Sequence, residues 1–150
     1  MGHYFEEFKV DDVFITPSRT ITEQDIQQFA DLTEDHNPVH TDPEFGARSM
    51  FGSCISHGPL MVGFTFGLLS RIDLLDGTII ALKDLQWSFN APIRAGDAVH
   101  IRARVKEARL SRKAPDRGTV TLAIEVINQD AVIVQAATAV TIIATADYKA

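Results

Sequence analysis

In the second half of the chain, apolar and polar residues change places at nearly every step. Val99, Ile101, Ala103 and Val105 alternate with His100, Arg102, Arg104 and Lys106, and Val120, Leu122, Ile124 and Val126 repeat the pattern. Leu85, Trp87 and Phe89 alternate in the same way with Asp84, Gln86, Ser88 and Asn90. A period of two marks strands that keep one face on a core. Pro92 and Gly96-Asp97 separate two of these strands, and Asn128-Gln129-Asp130 supplies a hairpin turn. Ala131 to Ala144 is apolar on both faces apart from Gln135 and threonines, which predicts a strand that is central or covered on both sides.

The first half reads differently. Val10 to Ile15 predicts a short strand stopped by Pro17. Thr22-Glu23-Gln24-Asp25 then opens a helix, with Thr22 as the cap and acids in the first turn. Ile26, Phe29 and Ala30 give that helix its buried stripe before it closes near Thr33, and Asp42-Pro43 starts a small helical turn over Glu44 to Arg48. From about Pro59 to Arg71 the chain is helical in pattern, yet Met61 to Leu69 is apolar on every side. A helix without a polar face must be wrapped by something else. Gly63 and Gly67 lie on one face of it, where they are expected to let sheet residues come close to the helix axis. After Asp76-Gly77 the period changes from helical to strand-like. The expected architecture is α+β: one domain over residues 1–150, an antiparallel sheet curled around a buried helix.

Composition narrows the function classes. A formal net charge of −6 argues against nucleic acid, whose binders need a basic face. Lys106, Arg109, Arg112, Lys113 and Arg117 gather at the connection between two strands; they read either as a local phosphate-holding patch or as a solvated hairpin. The single cysteine, Cys54, excludes an internal disulfide and fits a reducing compartment, and it suits a buried small residue better than a nucleophile. Met1 to Val10 lacks a signal pattern, and the uncharged run from Gly58 to Ser70 is too short to span a bilayer. A cytoplasmic protein with no membrane partner is expected.

The chemistry concentrates between Asp35 and Leu60. Asp35 and His40 flank Asn37-Pro38. Proline pushes the residue before it out of the helical region, and asparagine can close a side-chain turn on its own backbone. The bend lets Asp35 and His40 face one point, as proton transfer to and from a water requires. Ser56-His57-Gly58-Pro59 precedes the apolar helix. Proline favours the first helical position, which makes Gly58 the expected cap, with its N–H uncovered at the positive end of the helix dipole. Such a donor suits an oxyanion developing on a carbonyl. Asn37, Ser56 and His57 join Gly58 as candidate substrate-binding residues, whereas His36 is expected to be exposed and Asp42 to cap a helix. A metal site built from His36, His40, His57 and the aspartates is disfavoured, because no ligand pair has helical i, i+4 spacing and no cysteine pair exists. Neither metal nor cofactor is expected.

Asp35-x-Asn37-Pro38-x-His40-x-Asp42, followed by Phe51-Gly52 and His57-Gly58, resembles the hydratase motif of the MaoC-like dehydratases, the group of the (R)-specific enoyl-CoA hydratases. Arg19 to Thr22, Trp87-x-Phe89-x-x-Pro92 and Gly96-Asp97 extend the likeness over nearly the whole chain. The resemblance implies a hot-dog fold, a homodimer or higher homo-oligomer, and reversible hydration of a trans-2-enoyl thioester to a 3-hydroxyacyl thioester, with an acyl-CoA as substrate. It implies that Asp35 and His40 activate water and that the Gly58 N–H polarises the thioester carbonyl. A hot-dog thioesterase or a non-catalytic acyl-thioester-binding subunit would share the fold. Two positions depart from the pattern: Glu34 stands where relatives often carry glycine, and Phe66, with Thr65 beside it, fills a slot where some members place a serine near the acid.

Overall fold

The computed structural model describes residues 1–149. Its strands are β1 (Val13–Ile15), β2 (Arg19–Thr20), β3 (Ile79–Phe89), β4 (Ala98–Leu110), β5 (Arg117–Ile127) and β6 (Ile133–Ala144). Its helices are α1 (Glu23–Thr33), α2 (Pro38–Thr41), α3 (Pro43–Arg48) and α4 (Leu60–Ser70). All pairings are antiparallel, in the order β1-β4-β5-β6-β3, with β2 also on β4. The strand that is apolar on both faces, β6, lies between β5 and β3, as its composition requires.

The alternating residues deliver the core. Val99, Ile101, Ala103, Val105, Val120, Leu122 and Val126 are fully buried and meet Leu60, Met61, Leu68 and Leu69 of α4 in one cluster. The turn before β6 closes through Asn128, whose Oδ1 accepts the N–H groups of Asp130 and Val132. At α1, Thr22 Oγ1 accepts the Asp25 N–H while Asp25 Oδ2 accepts that of Thr22, a reciprocal cap. The basic hairpin residues are partly neutralised locally: Arg117 pairs with Asp116 at 2.8 Å and Arg109 faces Glu107 at 3.8 Å.

α4 departs from expectation in two ways. Its first turn is of the tighter 3₁₀ type, with Leu60, Met61 and Val62 donating to the carbonyls of His57, Gly58 and Pro59. The cap position therefore falls on Pro59, one residue beyond Gly58. The second difference is larger. Leu60, Met61, Thr65, Leu68 and Leu69 are buried, whereas Gly63 and Gly67 are exposed, and a Cβ at either would meet nothing within 4 Å. These glycines do not admit the sheet; they line an uncovered strip on the opposite side of the helix. One chain wraps only part of an element that is apolar all round.

Candidate active site

The bend between α1 and α2 is built from local hydrogen bonds. Glu34 ends α1 with φ +63°, the left-handed conformation that glycine adopts most readily. Glutamate holds this conformation at a cost that glycine would not bear. Asp35 Oδ1 accepts the Asn37 N–H at 3.3 Å, and Asn37 Oδ1 in turn accepts the Val39 N–H, capping α2 with Pro38 at its first position. Asp42 caps α3 by accepting from Glu44 and Phe45.

This bend brings Asp35 and His40 to the turn that precedes α4. One ligand atom each from Asp35, His40 and His57 lies within 4.8 Å of the other two. His40 holds the Ile55 carbonyl through Nδ1 at 2.8 Å. A carbonyl only accepts, so Nδ1 carries the hydrogen and the neutral ring has its lone pair on Nε2. His57 is 1% exposed, and its Nε2 donates to the Asp35 carbonyl at 2.9 Å. Its ring stacks on His40 with centroids 3.9 Å apart and leans on Phe29 at 4.9 Å. Burial pushes the His57 imidazole below its ordinary 6.5 against the pull of the Asp35 carbonyl, and the neighbouring His40 adds to the lowering. His57 is therefore neutral and fastens the Asp35 backbone. Asp35, His40 and His57 are also a group whose ligand atoms lie close enough together to hold a metal ion, although one nitrogen of each ring is already given to a backbone carbonyl.

Gly58 lines a cavity of about 440 Å³ together with His40, Ser56, Phe89 and Gln135. Among the described residues, nothing in the chain accepts its N–H. A Cβ on Gly58 would stand 2.7 Å from the Phe89 ring, so the ring and the glycine backbone share one wall. Ser56 is 5% exposed, with its N–H on the Ile93 carbonyl at 2.7 Å and its hydroxyl on the His57 carbonyl at 2.9 Å. Gln135, the one strongly polar residue within β6, accepts from Trp87 Nε1 at 2.8 Å and reaches the Gly58 carbonyl at 3.5 Å. His40 belongs as well to a second cavity of about 780 Å³, walled by Gln27, Cys54 and Arg94 among others. There Arg94 braces the loop through Ser53 Oγ and the Phe51 carbonyl, and burial, with Asp42 and Glu23 nearby, pushes the Cys54 thiol up and away from nucleophile chemistry.

Of the sequence-nominated residues, Asp35, His40, Ser56, His57 and Gly58 come together. Asn37 turns its side chain to the α2 cap, and His57 to the Asp35 carbonyl. His36 is exposed, 3.9 Å from Asp31. The slot considered for a supporting hydroxyl is apolar: Phe66 packs on the core, and Thr65 is fully buried with no partner for its Oγ1 among the described residues. Sequence reading missed the Trp87–Gln135 pair, although a lone glutamine on a doubly apolar strand was its visible trace.

Residues 7–128 match the family model described as MaoC like domain. The chain belongs to the MaoC-like family. It is 36% identical to the (R)-specific enoyl-CoA hydratase of Rhodospirillum rubrum over 97 residues, which is 65% of each protein. The crystal structure of the MaoC-like dehydratase from Rhodospirillum rubrum superposes with a TM-score of 0.89 at 28% identity, covering 98% of this chain and 100% of that one. A Mycobacterium tuberculosis protein described as a double hot-dog fold, only 17% identical, matches 99% of this chain and 46% of its own at a TM-score of 0.87. The architecture is thus the hot-dog fold, a sheet curled on one long helix. In three curated relatives at 35–36% identity the matched stretch is 30%, 64% and 65% of the relative's length. Among the described residues of this MaoC-like chain, no helix is long and apolar enough to cross a membrane.

Proposed function

We propose that the chain hydrates a trans-2-enoyl thioester reversibly, with a CoA thioester as the substrate. The observation that carries this reading is the approach of the Asp35 carboxylate to the His40 ring, which shares a cavity wall with Gly58, whose N–H meets no acceptor among the described residues. Water sits between Asp35 and His40, which share one proton. As the water oxygen bonds to Cβ, one of the pair takes a proton from it. The π electrons move toward the thioester, whose carbonyl oxygen becomes an enolate oxygen held by the Gly58 N–H and the positive end of α4. The other member of the pair then gives its proton to Cα from the same face. Afterwards the shared proton passes back across the gap and the site is reset. His40 walls both cavities, so a substrate that reacts at its middle can extend away from it in two directions. Relatives bearing hydratase and dehydratase names support the reaction class.

The working unit is proposed to be a homodimer. Two features of the single chain favour it: the uncovered Gly63–Gly67 strip of α4, and the outer edge of β3, which pairs only with β6 and leaves Leu82 and Phe89 exposed. Sedimentation should therefore give twice the chain mass.

The test of the reaction is loss of the conjugated enoyl absorbance when the protein meets trans-2-enoyl-CoAs of graded length. Release of free thiol without hydration, or tight binding without turnover across the panel, would overturn it.

A further inference from the structure

Ser56 lines the Gly58 cavity but is 5% exposed, and its hydroxyl is spent on a particular acceptor, the His57 carbonyl at 2.9 Å. That carbonyl and the Gly58 N–H are the two ends of one planar peptide unit, and in a trans peptide they point in opposite directions. The Leu60 N–H reaches the same oxygen at 3.3 Å, so two donors grip it. The seryl backbone is itself fixed, because its N–H is held by the Ile93 carbonyl. A peptide gripped at its oxygen cannot rotate freely, and donation into its carbonyl draws electron density from the nitrogen, which makes the N–H at the far end a stronger donor. We propose that Ser56 is a positioning residue: through the His57–Gly58 peptide it keeps the Gly58 N–H turned outward and polarised for the thioester oxygen. This rests on the role given to Gly58 above.

The role separates from space-filling because it acts on the transition state. A developing enolate oxygen gains more from a strengthened, pre-aimed donor than does the ground-state carbonyl. Loss of the hydroxyl should therefore appear in kcat and leave KM nearly untouched.

The experiment compares Ser56→Ala, Ser56→Cys and Ser56→Thr with wild type. It measures kcat and KM on a short trans-2-enoyl-CoA, the melting temperature, and the ¹H–¹⁵N resonance of the Gly58 amide. The alanine variant should lose about tenfold in kcat, well short of the ~10²–10³-fold cost of removing an oxyanion donor outright, with KM within about twofold. Its Gly58 amide proton should move upfield, the sign of a weaker donor. Cysteine, with a poor S–H donor, should fall between, and threonine should restore both rate and resonance. An alanine variant with wild-type kcat and an unmoved Gly58 resonance would overturn the proposal. So would a rise in KM at constant kcat, which would make Ser56 a substrate contact. The resonance needs no turnover, so it still decides the role of Ser56 if the enoyl-CoA panel shows no hydration, a result that would count against the reaction alone.

Discussion

His40 comes from the bend after α1 and His57 from the turn before α4, and their rings stack 3.9 Å apart. Each gives one nitrogen to a backbone carbonyl, His40 to Ile55 and His57 to Asp35. The difference lies in the other nitrogen. The His40 ring lines two cavities, whereas Nδ1 of His57 is buried without a partner among the described residues. On the proposed reading, the same side chain in nearly the same place is a proton carrier on one side and a fastener on the other. What divides them is access to water, since a ring that cannot be solvated in its charged form cannot exchange a proton usefully.

Asp35→Asn and His40→Gln strike the solvated side and should do the most damage. Each is expected to lower kcat on an enoyl-CoA by on the order of 10³-fold, within the range for a lost general acid or base. Asp35 is exposed and His40 only half-buried, so circular dichroism and the melting temperature should stay close to wild type. Hydration at wild-type rates by both variants would remove the distinction between the two histidines altogether.

Gly58→Ala should rank next. The new Cβ would stand 2.7 Å from the Phe89 ring, so either the ring swings away or the peptide carrying the donor N–H moves. Phe89 is 55% exposed and free to move, but it also walls the cavity. The expected loss is about 10²-fold in kcat, comparable to losing an oxyanion donor. In a Phe89→Ala background the clash disappears, and adding Gly58→Ala should then cost little more. A full additional 10²-fold loss in that background would mean that the clash with Phe89 is not the cause.

How far this arrangement can be read without coordinates depends on whether the interactions are local. The strands β4 and β5 are legible because a core face imposes alternation, and β6 because it is apolar on both faces; the start of β3 is not, because irregularities between Ile79 and Ala81 and between Leu82 and Asp84 break the period. The Asp35–His40 bend was legible because Asn37-Pro38 fixes it within a few residues. The direction of α4 is not: a helix apolar on every side carries no polar stripe to show which face meets the sheet, and Gly63 and Gly67 lie on the uncovered side rather than against the strands. Nor could the sequence show that His57 holds a carbonyl 22 positions away, since backbone acceptors leave no trace in composition; Gln135 stands out on its apolar strand, but its partner Trp87 is 48 positions away.

The smallest expected effect tests the buried side of the comparison through pH. Protonating His57 in the folded chain would place a cation in a desolvated slot against His40, so the folded protein binds this proton less readily than the unfolded chain, whose histidine titrates at 6.5. Where the unfolded state holds more protons than the folded one, stability rises with pH. The contribution of His57 is therefore complete above pH 6.5 and is lost as the pH falls from there through the lowered folded value. His57→Gln keeps an N–H that can serve the Asp35 carbonyl but has nothing to titrate. Melting temperatures of wild type and His57→Gln, followed from about pH 7.5 to about pH 5, should converge as the pH falls, with the variant losing less. Parallel curves would mean that His57 titrates alike in both states, which would require water at a ring that is 1% exposed.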